Sequence, residues 1–300
     1  MTDGPAGAVQ AADRAGVPAR ATAPVSVVIL TFNSAATLGP TLESALRLSD
    51  DVHIVDSFST DATVEVARHA GAQVVQHAFD DYGAQRNWAI ETLNLRHEWE
   101  LHLDADERVS DALAESIRAA LAAPPDGVDG FYIPRLIHFL GRPIRHGGMY
   151  PIYHMRLFRR GRGRCERRRY DQHFFVAGQT RTLDEPMIDD VRVGVAAYFA
   201  HHVRWAEAEA EEVLGGETDG RIRGHLGPDP VQRKRLLRGW YYRAPLFLRA
   251  FMLFFYRYVL RLGFLDGRAG LAFFMVQALA FRLLIDAIVL ERRMGRGRRS

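Results

Sequence analysis

Val25-Ser-Val-Val-Ile-Leu-Thr-Phe32 is a continuous, β-branched apolar run, the pattern of a strand buried on both faces. A helix is expected over Ala35 to Leu48, and three further units repeat the theme. They are Val52-His-Ile-Val-Asp56 with a helix about Asp61 to His69, Gln73-Val-Val-Gln76 with a helix about Ala84 to Leu93, and Leu101-His-Leu-Asp104 with a helix about Asp111 to Leu121. Strand-then-helix units at this spacing predict an α/β fold, a mainly parallel sheet flanked by helices. Ligands of such sheets bind outside the carboxyl ends of the strands, and Asn33, Asp56 and Asp104 fall at or just past those ends.

Residues 1–23 are rich in Ala, Gly, Pro and Thr and hold no run of large apolar side chains, which reads as a disordered lead and not as a signal peptide. The α/β domain is expected over 24–230, with its first half about 24–123. Beyond Pro124-Pro125 the order becomes irregular, with strands at Phe131 to Pro134 and Met155 to Phe158 and a turn around Gly147-Gly148. That second half, about 124–230, supplies the other wall of a cleft.

The segment 231–300 holds two apolar stretches, Ala244 to Leu262 and Ala269 to Leu290, split by a turn at Gly263-Phe-Leu-Asp-Gly267. They predict a C-terminal helical hairpin. The second stretch approaches the length of a bilayer span, yet it contains Arg282 and Asp286, and a charge at that depth costs roughly 3 kcal/mol. A lone spanning helix is therefore disfavoured. Arg249, Arg257 and Arg261 fall within roughly a third of a helical circumference at 100° per residue, an arginine-rimmed apolar helix suited to a membrane interface. The alternative is a hairpin buried against the α/β domain.

A 300-residue chain that is 48% hydrophobic sustains a sizeable core. Its one cysteine, Cys165, excludes an internal disulfide and a cysteine-built zinc site and places the chain facing the cytoplasm. The formal charge is only +3, but arginines cluster in Arg156 to Arg169, Arg233 to Arg238 and Arg292 to Arg299. Such clusters meet phosphates or lipid head groups, or simply form solvated faces; Gln232-Arg-Lys-Arg235, just ahead of the hairpin, is placed to touch anionic lipid. Nucleic acid is not an expected partner, because the aromatic interleaving of a stacking surface is thin.

Asp104-Ala-Asp106-Glu107 follows a predicted strand, whose alternation aims Asp104 and Asp106 the same way. Two carboxylates so placed can share Mg²⁺ or Mn²⁺, ions that favour a few carboxylate oxygens plus phosphate and water. In Asp56-Ser-Phe-Ser-Thr-Asp61 the later residues read as helix caps, whereas Asp56, first after its strand, faces the cleft and can accept from a nucleobase or ribose. Arg86, in Gln85-Arg-Asn87, is either a bidentate diphosphate donor or a solvated helix charge. Packing is favoured over a ligand role for His201-His202.

Together these motifs resemble the family 2 glycosyltransferases, inverting enzymes of the GT-A fold, over about Val25 to Leu290. Val27-Val-Ile-Leu-Thr-Phe-Asn33 is similar to that family's opening strand, Asp56 to Asp61 to its nucleotide loop, and Asp104 to Glu107 to its metal motif. Phe139 to Gly148, Arg156 to Arg160 and Gly263 to Gly267 resemble the bacterial branch that builds lipopolysaccharide core and exopolysaccharide. The resemblance implies a nucleotide-diphosphate sugar donor, expected to be a UDP-sugar, and a saccharide or lipid-linked acceptor at the cytoplasmic face of the inner membrane. It also implies donor contacts from Thr31, Asn33, Asp56, Arg86 and Asp104, and a Mg²⁺ or Mn²⁺ ion on Asp104 and Asp106. The general base of relatives lies in a Val-His-Glu-like motif; here Gln172 takes the glutamate position, so Asp171 is the expected base, with Glu166 and His173 as rivals. A sugar nucleotidyltransferase would carry a glycine-rich basic loop after the first strand and an NAD enzyme a Gly-X-Gly-X-X-Gly; both are missing. An inactive GT-A fold kept for binding is the remaining alternative.

Overall fold

The computed structural model describes residues 22–167, 172–191, 194–215 and 230–297. The expected units form: β1 (Val25–Thr31), α1 (Ala35–Leu48), β2 (Val52–Asp56), α2 (Thr63–His69), β3 (Gln73–Gln76), α3 (Tyr82–Thr92), β4 (Trp99–Asp104) and α4 (Asp111–Ala122), with an unexpected short strand β5 (Glu107–Val109) between the last two. Two helix starts differ from the expected residue, and aspartate-to-backbone hydrogen bonds explain both, an N-cap only at α3. Asp61 stays outside α2 because its carboxylate accepts from the Thr63 N–H at 3.0 Å, and Asp81 starts α3 early by accepting from the Ala84 N–H at 2.7 Å.

The sheet runs β3-β2-β1-β4 in parallel and is then extended by the second half of the chain. There lie β6 (Val128–Phe139), β7 (Arg142–Pro143), β8 (Ile152–Arg159), β9 (Gly163–Cys165), β10 (Phe174–Val176), β11 (Gln179–Thr182) and β12 (Met187–Val191). β8 pairs antiparallel with both β4 and β6, while β11 and β12 lie parallel to β6, and β5 closes the edge against β12. One face packs Leu38, Leu42, Ala45 and Leu48 of α1 with Leu113, Ile117 and Leu121 of α4 under β1, β2 and β4. The other face is covered by α3 and the β9–β10 pair. This is the GT-A-like α/β arrangement the sequence predicts.

Among the described residues, five α-helices follow: α5 (Val195–Gly215), α6 (Pro230–Arg243), α7 (Leu248–Phe255), α8 (Gly267–Phe274) and α9 (Phe281–Gly297). A π-helical turn at Tyr256–Leu260 extends α7, and another at Met275–Ala280 joins α8 to α9. The hairpin forms where expected and docks by apolar contact, Phe273, Phe274 and Ala278 packing on Ile137, Phe139, Ile144 and Met149. Its turn is clipped by Asp266, which accepts from the His146 N–H at 3.0 Å and lies 2.7 Å from the His146 ring. Gly147 has φ +66°, and a Cβ there would stand 2.1 Å from the Phe274 ring, so glycine is required. α5 packs on α9 through Ala206, Ala210, Phe281, Ile285 and Val289.

One reading of the arginines is corrected. Arg249 is not on a lipid-facing rim but 2% exposed, its Nε donating to Asp286 at 2.8 Å. Arg282 reaches Glu209 at 2.8 Å. Arg249, Arg282 and Asp286 are thus paired inside the helical layer, as low dielectric demands. The stretch Gly263–Gly295 remains long and apolar enough to cross a membrane by length and composition, an 18-residue window within it reaching a mean hydropathy of 2.0.

Candidate active site

Strand register sets the site's dimensions. Thr31 lies beside Asp56 across β1–β2, and Leu30 lies beside Asp104 across β1–β4. Asp56 and Asp104 therefore stand two strand spacings apart, about 10 Å, along one edge.

At the first end, Asp56 is fully buried and accepts from Thr31 Oγ1 at 3.0 Å, the Ser59 N–H at 2.9 Å, Ser59 Oγ at 2.5 Å and Gln76 Nε2 at 3.1 Å. Burial would raise its pKa, but these donors hold it below the usual carboxylate value. Asp56 thus shapes the loop after β2. Asn33, at φ +49°, stitches that loop to the one after β1: its N–H donates to Ser59 Oγ at 2.8 Å and its Oδ1 accepts from the Thr60 N–H at 2.8 Å. Phe32 and Phe58 stand exposed on this rim, Phe58 at φ +58°, a conformation a bulky residue adopts only where its surroundings enforce it.

At the second end, α1 fixes the β4–β5 turn, Thr41 Oγ1 donating to the Ala105 carbonyl at 3.0 Å, and β12 adds the Asp190 N–H to the Asp106 carbonyl at 3.1 Å. Each oxygen of Asp104 takes an arginine, Arg86 at 2.7 Å and Arg156 at 2.8 Å. Burial opposes ionisation there, and the two guanidiniums override it, holding the carboxyl well below its ordinary value. Arg86 also lies over the Phe174 ring, 5.0 Å from its centroid. Arg156 bridges to Glu107 at 2.6 Å. Glu107 is buried, and burial with the nearby charges of Asp104 and Asp189 pushes its pKa up to about 7 against the pull of Arg156.

Asp106 differs from its neighbours. Its side chain makes no hydrogen bond or ion pair with any other described residue, touching only its own backbone N–H. Although it is open to solvent, partial desolvation and then the charges of Asp189, Asp104 and Glu107 raise its pKa well above the ordinary value. The named groups sum to four carboxylates, Asp104, Asp106, Glu107 and Asp189, facing three guanidiniums, Arg86, Arg156 and Arg135. An unpaired carboxylate in a site with surplus negative charge fits a divalent cation. Among the described residues no three His, Cys, Asp or Glu side chains converge as a ready-made cage, so water or phosphate would supply the other ligands, as Mg²⁺ and Mn²⁺ prefer.

The expected base, Asp171, lies outside the described residues. Its rivals are buried: Glu166 is 3% exposed and accepts from the His173 N–H at 3.3 Å, and His173 is 6% exposed. His202 is buried against the Tyr198 carbonyl at 2.8 Å and Gln277 Oε1 at 2.5 Å, a packing role. The arginine cluster from Arg156 to Arg169 is not one anion-facing patch. Arg156 points into the site, Arg159 lies over Trp99 beside Glu98, and Arg160 donates to the Leu95 carbonyl. Strand alternation divides β8, which the count of basic residues hides. Asp189 and Arg135, also missed, come from β12 and β6, where no motif marks them; the Asp pair closing a short strand at Met187 to Val191 is the only cue.

Residues 26–191, more than half of the chain, match the family model "Glycosyl transferase family 2". The chain belongs to glycosyl transferase family 2. The match ends with β12 and so takes in every residue of the two ends just described. Among curated relatives, an uncharacterised glycosyltransferase of Rickettsia bellii is 37% identical over 99 residues, 33% of this chain and 33% of that protein. The lipopolysaccharide core biosynthesis glycosyltransferase LpsC of Rhizobium meliloti is 33% identical over 148 residues, 48% of this chain and 53% of that protein. The chain thus spans a third to about half the length of these relatives. A mannosyltransferase from Pyrobaculum calidifontis, solved with GDP-Man and Mn²⁺, aligns over 91% of this chain and 88% of its own with TM-score 0.51 and 15% identity, a likeness of fold.

Proposed function

We propose that this family 2 protein transfers a sugar, with inversion, from a nucleotide-diphosphate sugar to a saccharide or lipid-linked acceptor in lipopolysaccharide assembly at the cytoplasmic membrane face. The unpaired carboxylate of Asp106, beside an arginine-clamped Asp104 and about 10 Å from the stitched loops of Asn33 and Asp56, carries the reading. That spacing suits a nucleoside at one end and a diphosphate at the other. The name of LpsC supports the lipopolysaccharide assignment, and a UDP-sugar is the donor we favour.

In this reading residues 24–123 hold the donor, 124–230 the acceptor, and 231–300 associate with the membrane. The loops of Thr31, Asn33 and Asp56 orient the nucleoside. Arg86 holds Asp104 in place and is near enough to meet the diphosphate. A divalent cation, Mg²⁺ or Mn²⁺, held by Asp106 with Asp104, would supply the charge that stabilises the leaving diphosphate. Asp171 takes the acceptor hydroxyl's proton; the burial of Glu166 and His173 supports that choice over them.

The test is nucleotide-diphosphate release from a panel of UDP- and GDP-sugars with Mn²⁺ or Mg²⁺, beside Asp106→Ala and a chelator control. Metal-dependent turnover that vanishes in the variant is expected. If no nucleotide sugar binds or turns over, the protein is instead an inactive fold retained for binding.

A further inference from the structure

The arginines of the helical hairpin are of two kinds. Arg249 and Arg282 face carboxylates, Asp286 and Glu209. Arg257 and Arg261 make no ion pair with any described residue. Arg257 Nη1 rests on the thioether sulfur of Met149, a weak acceptor, and Arg261 Nη1 meets the Tyr256 hydroxyl at 3.3 Å.

Arg257 is part-buried. Burial and the nearby charge of Arg282 pull its pKa down to about 10, the mark of a cation held without its counter-charge. Such a group destabilises the fold unless something outside the chain neutralises it. It also sits in the π-helical turn Tyr256–Leu260, a distortion frequent at functional sites.

Both guanidiniums lie over one turn. Arg257 touches Met149, and Arg261 lies 3.7 Å from where a Cβ on Gly148 would stand, its own carbonyl accepting from the Gly147 N–H at 2.8 Å. Beside them the hairpin exposes Phe251, Met252, Phe255, Val259, Leu260 and Leu262. Met149 in turn packs with Ile137 and Phe139, and Ile137 is in register with Asp189 at the acidic site. The unpaired cations therefore stand between an apolar surface and the cleft end of the sheet.

We propose that Arg257 and Arg261 form a binding site for a lipid-borne phosphate, whose hydrocarbon chain lies along the exposed face from Phe251 to Leu262. The inference deepens the membrane-acceptor part of the proposed function and rests on it. Charge complementarity selects the ligand: two guanidiniums without carboxylates suit phosphate oxygens, and an apolar border suits a chain attached to that phosphate.

The test is flotation of the full chain with phosphatidylcholine vesicles, with or without a tenth part phosphatidate. Wild type should prefer the phosphatidate vesicles, and each arginine lost in Arg257→Gln and in Arg257→Gln/Arg261→Gln should weaken that preference about fivefold. Binding to pure phosphatidylcholine should not change, and Arg257→Lys should keep most of the preference. Arg257→Gln should melt no lower than wild type, since it removes an unpaired charge; a clear fall would mean that the arginine is structural and would overturn the proposal. So would equal binding of wild type to both vesicles, or of wild type and Arg257→Gln to phosphatidate vesicles. Inorganic phosphate, added against matched sodium chloride, should compete weakly; full displacement at low millimolar concentration would assign the site to free phosphate and refute the lipid assignment. Wild-type donor turnover is followed in parallel, and its absence would count against the donor site while leaving the flotation result standing.

Discussion

Arg156→Met tests whether the β4–β5 turn is held by one guanidinium. Arg156 is 4% exposed and is shared between Asp104 Oδ2 at 2.8 Å and Glu107 Oε1 at 2.6 Å. Methionine fills much of the volume but leaves Glu107 buried with its counter-cation gone. Breaking a buried pair from one side costs about 3–5 kcal/mol, which for a domain of this size lowers the melting temperature by roughly 6–20 °C. The cost must depend on pH. Glu107 has its folded pKa near 7, above the ordinary 4.5, so its contribution favours the fold in acid and is lost as pH rises from about 4.5 through 7. Removing Arg156 raises the pKa of both Glu107 and Asp104, so the variant suffers more at about pH 8 than at about pH 5, where Glu107 is already protonated. Thermal or urea unfolding at the two pH values measures this. A loss below about 1 kcal/mol, or an equal loss at both pH values, refutes the clamp, because either result would mean that Glu107 draws nothing from Arg156.

Asp106→Asn removes like-charge repulsion from Asp104, Glu107 and Asp189; it should melt at or above wild type while losing metal-dependent donor turnover, and calorimetry beside the release assay separates the two. Asp51→Ala, at the opposite end of the sheet, strips a buried carboxylate that accepts from Ser26 at 2.6 Å and from the Arg96 N–H at 2.9 Å. It should cost about 3–5 kcal/mol in urea unfolding with the donor KM unchanged. Because Asp51 has a lowered pKa, that cost should shrink as pH falls through the ordinary carboxylate value near 3.8. Gly147→Ala places a methyl 2.1 Å from the Phe274 ring at φ +66°, so limited proteolysis should cut within 244–268 much faster than in wild type while donor turnover persists.

The parallel half of the sheet was legible because its strands carry apolar, β-branched residues and each recurs with a helix. The strands that escaped, β5, β7 and β9 to β12, are two to five residues long and, β10 apart, include polar residues instead of forming an apolar run. Apolar runs also concealed polar cargo: in β4, Glu100 and His102 face the same side as Asp104 and meet at 2.9 Å, fully buried, under the stacked ring of Phe158. The acids of the donor end were visible in Asp104-Ala-Asp106, but their arginines were not. Arg156 lies fifty-two residues away, and an arginine in a run of arginines carries no sign of which carboxylate it will meet.

The same blindness applies to the hairpin, and the structure resolves it by pairing. A sequence reading assigns Arg249, Arg257 and Arg261 to one face, because a regular helix brings them together. The chain does not continue as one regular helix: α7 ends at Phe255 and the π-helical turn from Tyr256 widens the spiral. Arg249 stays on the inner side, where Asp286 neutralises it, and Arg257 is carried round to the turn at Met149, where nothing among the described residues does. At both the acidic end and the hairpin, then, most charges are neutralised within the fold and one kind is left over, a carboxylate at Asp106 and guanidiniums at Arg257 and Arg261. Asp106 and Arg261 are open to solvent and Arg257 is half-buried, so charge left over after pairing is reachable from outside, and its two signs in two places argue for two external partners, a cation with a diphosphate at one and a lipid phosphate at the other.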